Sequence, residues 1–132
     1  MKAGKYYVGD LCYVLGDRWD EVCDLIIKDH VCLDGVFELK DGTQFAIYGT
    51  AYGDGFYSDQ YANGYPVDSG SIGCVLVDSI TSGELDESLG NVIDFDDDFT
   101  TSSDSGIIYI GEIEIDTEGS EGRDDESIND IW

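Results

Sequence analysis

Apolar and polar residues alternate along much of this 132-residue chain with the two-residue period of β-strands. The clearest case is the segment 107–116, which we interpret as one strand, because its second half alternates isoleucines with Glu112, Glu114 and Asp116. Further strands are predicted at residues 5–8, 11–15, 36–39, 43–48, 72–77 and 91–95, and polar loops at residues 58–66 and 100–106. Because the segment 72–77 lacks polar alternation, that strand is predicted to be buried on both faces.

Two glycine-containing segments predict turns. Asp41-Gly42 lies between two predicted strands, which is a strong hairpin signal. Gly53-Asp54-Gly55 interrupts a stretch rich in tyrosine and phenylalanine, and its glycines permit positive φ angles and close backbone approach. We interpret this second segment, the YGDG loop (residues 52–55), as a pivot at which two halves of a sheet meet.

The segment 17–28 has a helical period instead. One side carries the apolar residues Trp19, Val22, Cys23 and Ile26, and the opposite side carries the acids Asp17, Asp20, Glu21 and Asp24. Asp17 is predicted to be the helix N-cap. These elements predict an α+β fold that is mostly β: an antiparallel β-sandwich or rolled sheet with one N-terminal amphipathic helix. We expect a single domain over residues 1–117, followed by a flexible acidic tail over residues 118–132.

Charge is the extreme property of the sequence, which has 30 acids, 6 bases and a net charge of −24. Residues 1–77 carry 12 acids and 5 bases, whereas residues 78–132 carry 18 acids and 1 base. Such a surface repels nucleic acid and anionic membranes and attracts basic proteins. Adaptation to high salt is an alternative explanation for many aspartates and few lysines.

Rows of acids on rigid elements can imitate a nucleic-acid backbone and occupy the basic groove of another protein. Acids at alternate strand positions are about 6.7 Å apart. We therefore expect a non-enzymatic protein that needs no cofactor or metal and binds a basic, nucleic-acid-handling partner. The predicted contact residues are Asp17, Asp20, Glu21 and Asp24 on the helix, Asp94, Asp96, Asp97 and Asp98 at the end of one strand, and Glu112, Glu114 and Asp116 on the last strand.

An alternative is a small-ligand or divalent-cation module, or an enzyme, with its site at Asp10, Tyr52, Asp54 and Asp68. Three aspartates on neighbouring loops would suit a hard cation or acid–base chemistry. The simpler interpretation, which we favour, is that each aspartate accepts hydrogen bonds from its own turn backbone.

The four cysteines follow no common metal-binding spacing, so we expect reduced core residues in a cytoplasmic protein. A zinc site would have to combine Cys12, Cys23, His30 and Cys32 across the fold. The first residues lack a hydrophobic signal region, and no apolar run reaches the length of a membrane span.

Three motifs carry a family resemblance: Tyr7-Val8-Gly9-Asp10-Leu11-Cys12-Tyr13-Val14, Thr50-Ala51-Tyr52-Gly53-Asp54-Gly55-Phe56-Tyr57 and Val67-Asp68-Ser69-Gly70-Ser71-Ile72-Gly73. With these motifs the chain resembles a family of small uncharacterised proteins of phages and bacterial genomes. The resemblance covers roughly residues 5–117 and implies a compact β-rich domain and a phage setting. An anti-restriction or anti-CRISPR inhibitor acting in the host cytoplasm would fit that setting, and a self-assembling phage component is a further alternative.

Overall fold

A computed structural model describes residues 1–29, 31–80 and 89–117. Its strands are β1 (Gly4–Gly9), β2 (Ile27–Lys28), β3 (Val31–Cys32), β4 (Gly35–Glu38), β5 (Gln44–Gly49), β6 (Gly55–Asp59), β7 (Gly64–Val67), β8 (Ser71–Leu76), β9 (Gly90–Phe95), β10 (Thr101–Asp104), β11 (Ile107–Ile110) and β12 (Ile113–Asp116). One α-helix, α1 (Trp19–Ile26), and 3₁₀ turns at Leu11–Tyr13, Gly16–Arg18 and Val77–Ser79 complete the described elements.

The strands form two five-stranded antiparallel sheets and one short hairpin. The first sheet has the order β4-β5-β8-β1-β9, the second has the order β10-β11-β12-β6-β7, and β2 pairs with β3. The predicted fold class, a mostly β antiparallel sandwich with one amphipathic helix, is confirmed.

The described residues form three layers and two hydrophobic cores. Side chains that point to one face of the first sheet, such as Tyr6 and Ala46, pack against Ile108 and Ile115 of the second sheet. The adjacent side chains in the same strands, such as Tyr7 and Phe45, point to the opposite face of the first sheet. They form a second core beneath α1 and the first 3₁₀ turn, made of Tyr7, Leu11, Val14, Leu15, Val22, Ile26, Leu39, Phe45, Ile47 and Val75. The first sheet is therefore the middle layer.

This layering explains why the central strands have continuous apolar sequences. In β8, Cys74 belongs to the core between the sheets and Val75 to the core beneath the helix. The prediction that this strand is buried on both faces is confirmed for Ile72 to Val75, whereas Leu76 is half-buried and Val77 already belongs to a 3₁₀ turn. The hairpin predicted at Asp41-Gly42 is also confirmed, because β4 and β5 pair in antiparallel register across it.

The strand predicted at residues 11–15 is wrong, because a 3₁₀ turn occupies its first half. The Asp10 carboxylate accepts a hydrogen bond from the Cys12 backbone N–H and caps this turn. Leu11, Val14 and Leu15 are buried, and their i, i+3, i+4 spacing is helical rather than extended.

The helix is shorter than predicted. It begins at Trp19, and its N-cap position is Arg18, not Asp17, which lies in the preceding 3₁₀ turn. It ends at Ile26, because Ile27 has an extended backbone and begins β2. The apolar side was predicted correctly, since Val22 and Ile26 are buried.

Both predicted polar loops contain strands. The segment 58–66 spans the end of β6 and most of β7, and Pro66 is accommodated because β7 is an edge strand. The segment 100–106 contains β10, which is also an edge strand and exposes most of its side chains.

The single strand predicted at 107–116 is two strands. Gly111 has a φ angle of +61° and turns the chain between β11 and β12, which pair in antiparallel register. Glu112 consequently lies in the turn, while Glu114 and Asp116 keep the outward orientation predicted for them. The proposed tail, residues 118–132, lies outside the described residues, as do His30 and residues 81–88.

Candidate partner-binding surfaces

The helix presents part of its acidic side to solvent. Asp17, Asp20 and Asp24 are exposed, and α1 covers the outer face of the first sheet. Glu21 is half-buried, and its Oε2 accepts a 2.6 Å hydrogen bond from the Lys40 backbone N–H at the β4–β5 turn. Glu21 therefore fixes the helix to the hairpin and is less available to a partner than the other three.

The acids of β12 face away from the core between the sheets. Glu114 and Asp116 are exposed, whereas Ile113 and Ile115 are buried. Gln60 holds this strand through two hydrogen bonds, because its side-chain amide donates to the Glu112 carbonyl at 2.7 Å and accepts from the Glu114 N–H at 2.8 Å. The two carboxylates are thus attached to a fixed strand.

The third acidic set lies at the end of β9, an edge strand of the first sheet, and just beyond it. Asp94 lies opposite Lys5 of β1. Its two neighbours in the strand, Ile93 and Phe95, pack against the core between the sheets, so the Asp94 side chain points to the other face of the sheet, where α1 lies. Asp96, Asp97 and Asp98 are exposed beyond the strand. Asp98 ties down the N-terminal segment, since its Oδ1 accepts from the Ala3 N–H at 2.8 Å.

These predicted contact residues do not form one surface. The helix acids lie on one outer layer of the molecule, and Glu114 and Asp116 lie on the opposite outer layer. Two sheets separate the two sets, so one basic groove can contact one set or the other. We name them the helix face (Asp17, Asp20, Asp24) and the β12 face (Glu114, Asp116).

Little of the negative charge is neutralised within the described residues. Eighteen of their 21 acids are exposed. The ion pairs found there join Lys2 to Asp98 and Arg18 to both Asp17 and Asp41. In the closest of them, the Arg18 guanidinium lies 2.7 Å from Asp41. The surface therefore keeps a strong field for attracting cations or basic proteins.

Asp10, predicted as an alternative ligand, is fully buried and structural. Its carboxylate accepts hydrogen bonds from the backbone N–H groups of Cys12, Asp68 and Ser69 at 3.0, 2.7 and 2.6 Å. The Ser69 hydroxyl donates a fourth, at 2.8 Å. The carboxylate thereby joins the end of β1 to the loop before β8, and these four donors leave little capacity for a ligand.

The YGDG loop is held by side-chain hydroxyls that donate to its backbone, and a backbone hydrogen bond fixes the residue Thr50 before it. The Gly53 carbonyl accepts from the hydroxyls of Thr50 and Tyr57, and the Thr50 N–H donates to the Gly70 carbonyl. Gly53 has a φ angle of +80°, which explains the need for glycine. The loop joins β5 of the first sheet to β6 of the second, as the pivot interpretation expects.

Of the other residues of the alternative site, Asp68 contacts Asp10, but through its backbone N–H. Tyr52 is 64% exposed, and Asp54 and Asp68 are exposed. Within residues 1–29, 31–80 and 89–117, no three carboxylate, thiol or imidazole groups are placed to hold a metal ion. The carboxylate cluster is therefore absent from this part of the chain.

Among the described cysteines, Cys74 is a buried core residue, whereas Cys12 and Cys23 are half-buried. Burial raises the pKa of Cys74 to about 12. Burial, followed by the hydrogen bond and negative charge of Asp10, raises the pKa of Cys12 to about 12. Both thiols therefore stay protonated at neutral pH, which makes them poor nucleophiles.

Sequence reasoning missed a groove of about 250 Å³ between α1, the β2–β3 hairpin and the Ser69–Ser71 segment. Trp19, Cys23 and Leu33 are among its lining residues. The sequence signal is weak, because the apolar residues near position 31 are too few to predict an element. We name this feature the helix groove.

The described residues include no helix of the length and hydropathy needed to cross a bilayer. No protein-family model matches the chain, and neither the curated proteins nor the solved structures gave a match.

Proposed function

We propose that this protein is a non-enzymatic inhibitor that binds a basic, nucleic-acid-handling protein by imitating nucleic-acid charge. The observation that carries the proposal is the display of exposed carboxylates on fixed secondary structure, in a chain of net charge −24. A rigid anionic row loses little entropy on binding and gives fast, salt-sensitive association.

The spacing of the carboxylates supports this function. Asp20 and Asp24 are one helical turn apart, which corresponds to about 6 Å of rise. Glu114 and Asp116 are about 6.7 Å apart along their strand. Duplex DNA carries a phosphate about every 3.4 Å along each strand, so each acidic pair has roughly the axial spacing of every second phosphate. The family resemblance makes a host restriction enzyme, CRISPR effector or polymerase the class of partner that we propose, reached in the host cytoplasm.

The opposite placement of the two faces allows a matched test. D20N/D24N and E114Q/D116N each remove two negative charges, but from opposite outer layers. Immobilised wild-type protein and both variants would be exposed to a bacterial lysate at low salt, and the retained proteins eluted at high salt and identified. We expect a nucleic-acid-binding protein whose retention falls strongly in one variant and little in the other.

Equal losses in both variants would mean that net charge alone causes retention, which contradicts a defined mimic surface. Retention that persists at high salt would contradict an electrostatic mechanism. Circular dichroism of each variant controls for folding, and both should fold, because all four substituted side chains are exposed.

A further inference from the structure

The helix groove is apolar on its inside. Trp19, Cys23 and Ile26 of α1 form one wall, and Leu33 and Ile47 face them from the hairpin and from β5. Its volume of about 250 Å³ is of the size that one large side chain needs, rather than a drug-sized ligand.

Exposed apolar side chains are concentrated beside the groove. Ile27, Val31 and Leu33 are between 40% and 57% exposed, and all three lie in the seven residues 27–33. The other large apolar side chains that are comparably exposed lie elsewhere: Phe56 and Tyr61 on the second sheet and its hairpin, Tyr52 in the YGDG loop, and Val36 on the face of β4 that points away from α1. An apolar cluster of this kind around a concavity is typical of an interaction surface.

Carboxylates surround this apolar cluster. Asp34 lines the groove, and exposed Asp68 precedes Ser69 on its rim. On α1, Asp20 and Asp24 each follow a groove-lining residue in sequence, so they lie one helical step, or about 100°, around the axis from it. Lys28, at the end of β2, donates a 3.3 Å hydrogen bond from its ammonium group to the Asp24 backbone carbonyl.

From this combination, and relying on the proposed function, we infer that the helix groove receives one bulky apolar side chain from the basic partner. That side chain would be flanked by lysine or arginine residues, which would contact Asp20, Asp24, Asp34 and Asp68. The helix face is then the working surface, and the β12 face is not. The apolar contact would supply the specificity that charge alone lacks.

Two synthetic peptides test this inference: Lys-Lys-Trp-Lys-Lys and Lys-Lys-Ser-Lys-Lys, both with blocked ends. Titration into ¹⁵N-labelled full-length protein at low salt gives affinities and the positions of the affected backbone amides. We expect the tryptophan peptide to bind at least about tenfold more tightly, because it buries apolar surface that the serine peptide lacks. The largest shifts should occur at Ile27, Leu33, Gly49 and Gly70.

The variant I27S/L33S should remove the advantage of the tryptophan peptide without weakening the serine peptide. L33S alone serves if the double variant folds poorly, and it should remove part of the advantage. F56S, which alters an exposed aromatic residue on the second sheet, should leave both affinities unchanged.

Equal affinities for the two peptides, with shifts spread over both acidic faces, would overturn the groove inference and leave the proposed function standing. Absence of binding by both peptides would contradict the proposed function as well. A protein that is dimeric by light scattering, but monomeric as I27S/L33S, would assign the groove to a second copy and also overturn the inference.

Discussion

Asp10 accepts two hydrogen bonds from Ser69, one from the backbone N–H at 2.6 Å and one from the hydroxyl at 2.8 Å. The two residues are 59 positions apart in the chain. Their contact joins the loop after β1 to the loop before β8, beneath the rim of the helix groove. A residue that resembles a catalytic or metal-binding aspartate in the sequence is therefore a structural cross-link.

Replacing Asp10 with alanine should be severely destabilising. The change leaves the N–H groups of Cys12, Asp68 and Ser69 without their acceptor in a buried site. We expect a loss of about 3 kcal/mol or more in the free energy of unfolding, measured by urea denaturation. Asp68→Ala, which removes a neighbouring exposed carboxylate, should cost less than about 0.5 kcal/mol. Similar effects of the two substitutions would contradict the cross-link.

Gly73 lies in the middle of β8 with no space for a side chain. A Cβ atom at this position would lie 2.0 Å from the Ala46 carbonyl oxygen on the neighbouring strand. Gly73→Ala should therefore force the central sheet apart and destabilise by at least about 2 kcal/mol. Gly16→Ala is the matched control, because a Cβ atom at Gly16 would have no neighbour within 4 Å. Chemical denaturation of both variants measures the difference, and equal stabilities would show that the β5–β8 contact is looser than described.

Asp59 should make the stability of the β6–β7 hairpin depend on pH. Burial alone raises its pKa, but hydrogen bonds from the Tyr65 hydroxyl, from the side chain and backbone of Asn63 and from the Tyr61 N–H outweigh burial and lower it. Because the folded pKa lies below the unfolded value of about 3.9, the stabilisation is complete above that pH and is lost as pH falls through the folded value.

Comparison of wild type with Asp59→Asn tests this dependence. Wild type should be the more stable protein at pH 7, and the difference should shrink below about pH 4. The urea denaturation should be done at micromolar protein concentration. The sequence pI is about 4.1, so the net charge is close to zero within this pH range, and a low net charge promotes aggregation. Asp54→Asn controls for loss of an exposed charge. A difference between wild type and Asp59→Asn that stays constant from about pH 7 to about pH 3 would contradict the role of the ionised carboxylate.

Salt should stabilise this protein. Repulsion among the exposed carboxylates opposes folding, and the Debye length falls from about 30 Å at 0.01 M salt to about 8 Å at 0.15 M. We expect the melting temperature to rise with sodium chloride. The rise should be smaller in the combined variant D20N/D24N/E114Q/D116N. A melting temperature that is independent of salt would show that the repulsion is negligible.

The sequence predicts much of this fold because local signals agree with the final structure. Asp41-Gly42 specifies a hairpin, and the apolar side of α1 is correct. The errors arise where the same pattern of apolar residues is compatible with two kinds of secondary structure. Residues 11–15 are apolar enough for a strand, but their buried positions have helical spacing and Asp10 caps a 3₁₀ turn. The strand β10 was missed because an edge strand needs few apolar residues.

The candidate surfaces depend on topology, which the sequence pattern does not contain. Alternation places Glu114 and Asp116 on one side of β12, and periodicity places Asp20 and Asp24 on one side of α1. Their location on opposite outer layers follows from the order of the sheets and from α1 covering the first sheet. The helix groove likewise requires contacts between α1, β5 and Ser71, which are distant in sequence.

The most direct measurement of nucleic-acid mimicry is a competition on the captured partner. Fluorescence anisotropy would follow a labelled DNA duplex bound to that partner while this protein is added at low salt. We predict full displacement of the duplex near one equivalent, and weaker displacement by D20N/D24N than by E114Q/D116N. A ternary complex, in which the partner holds the duplex and this protein together, would contradict the proposed function.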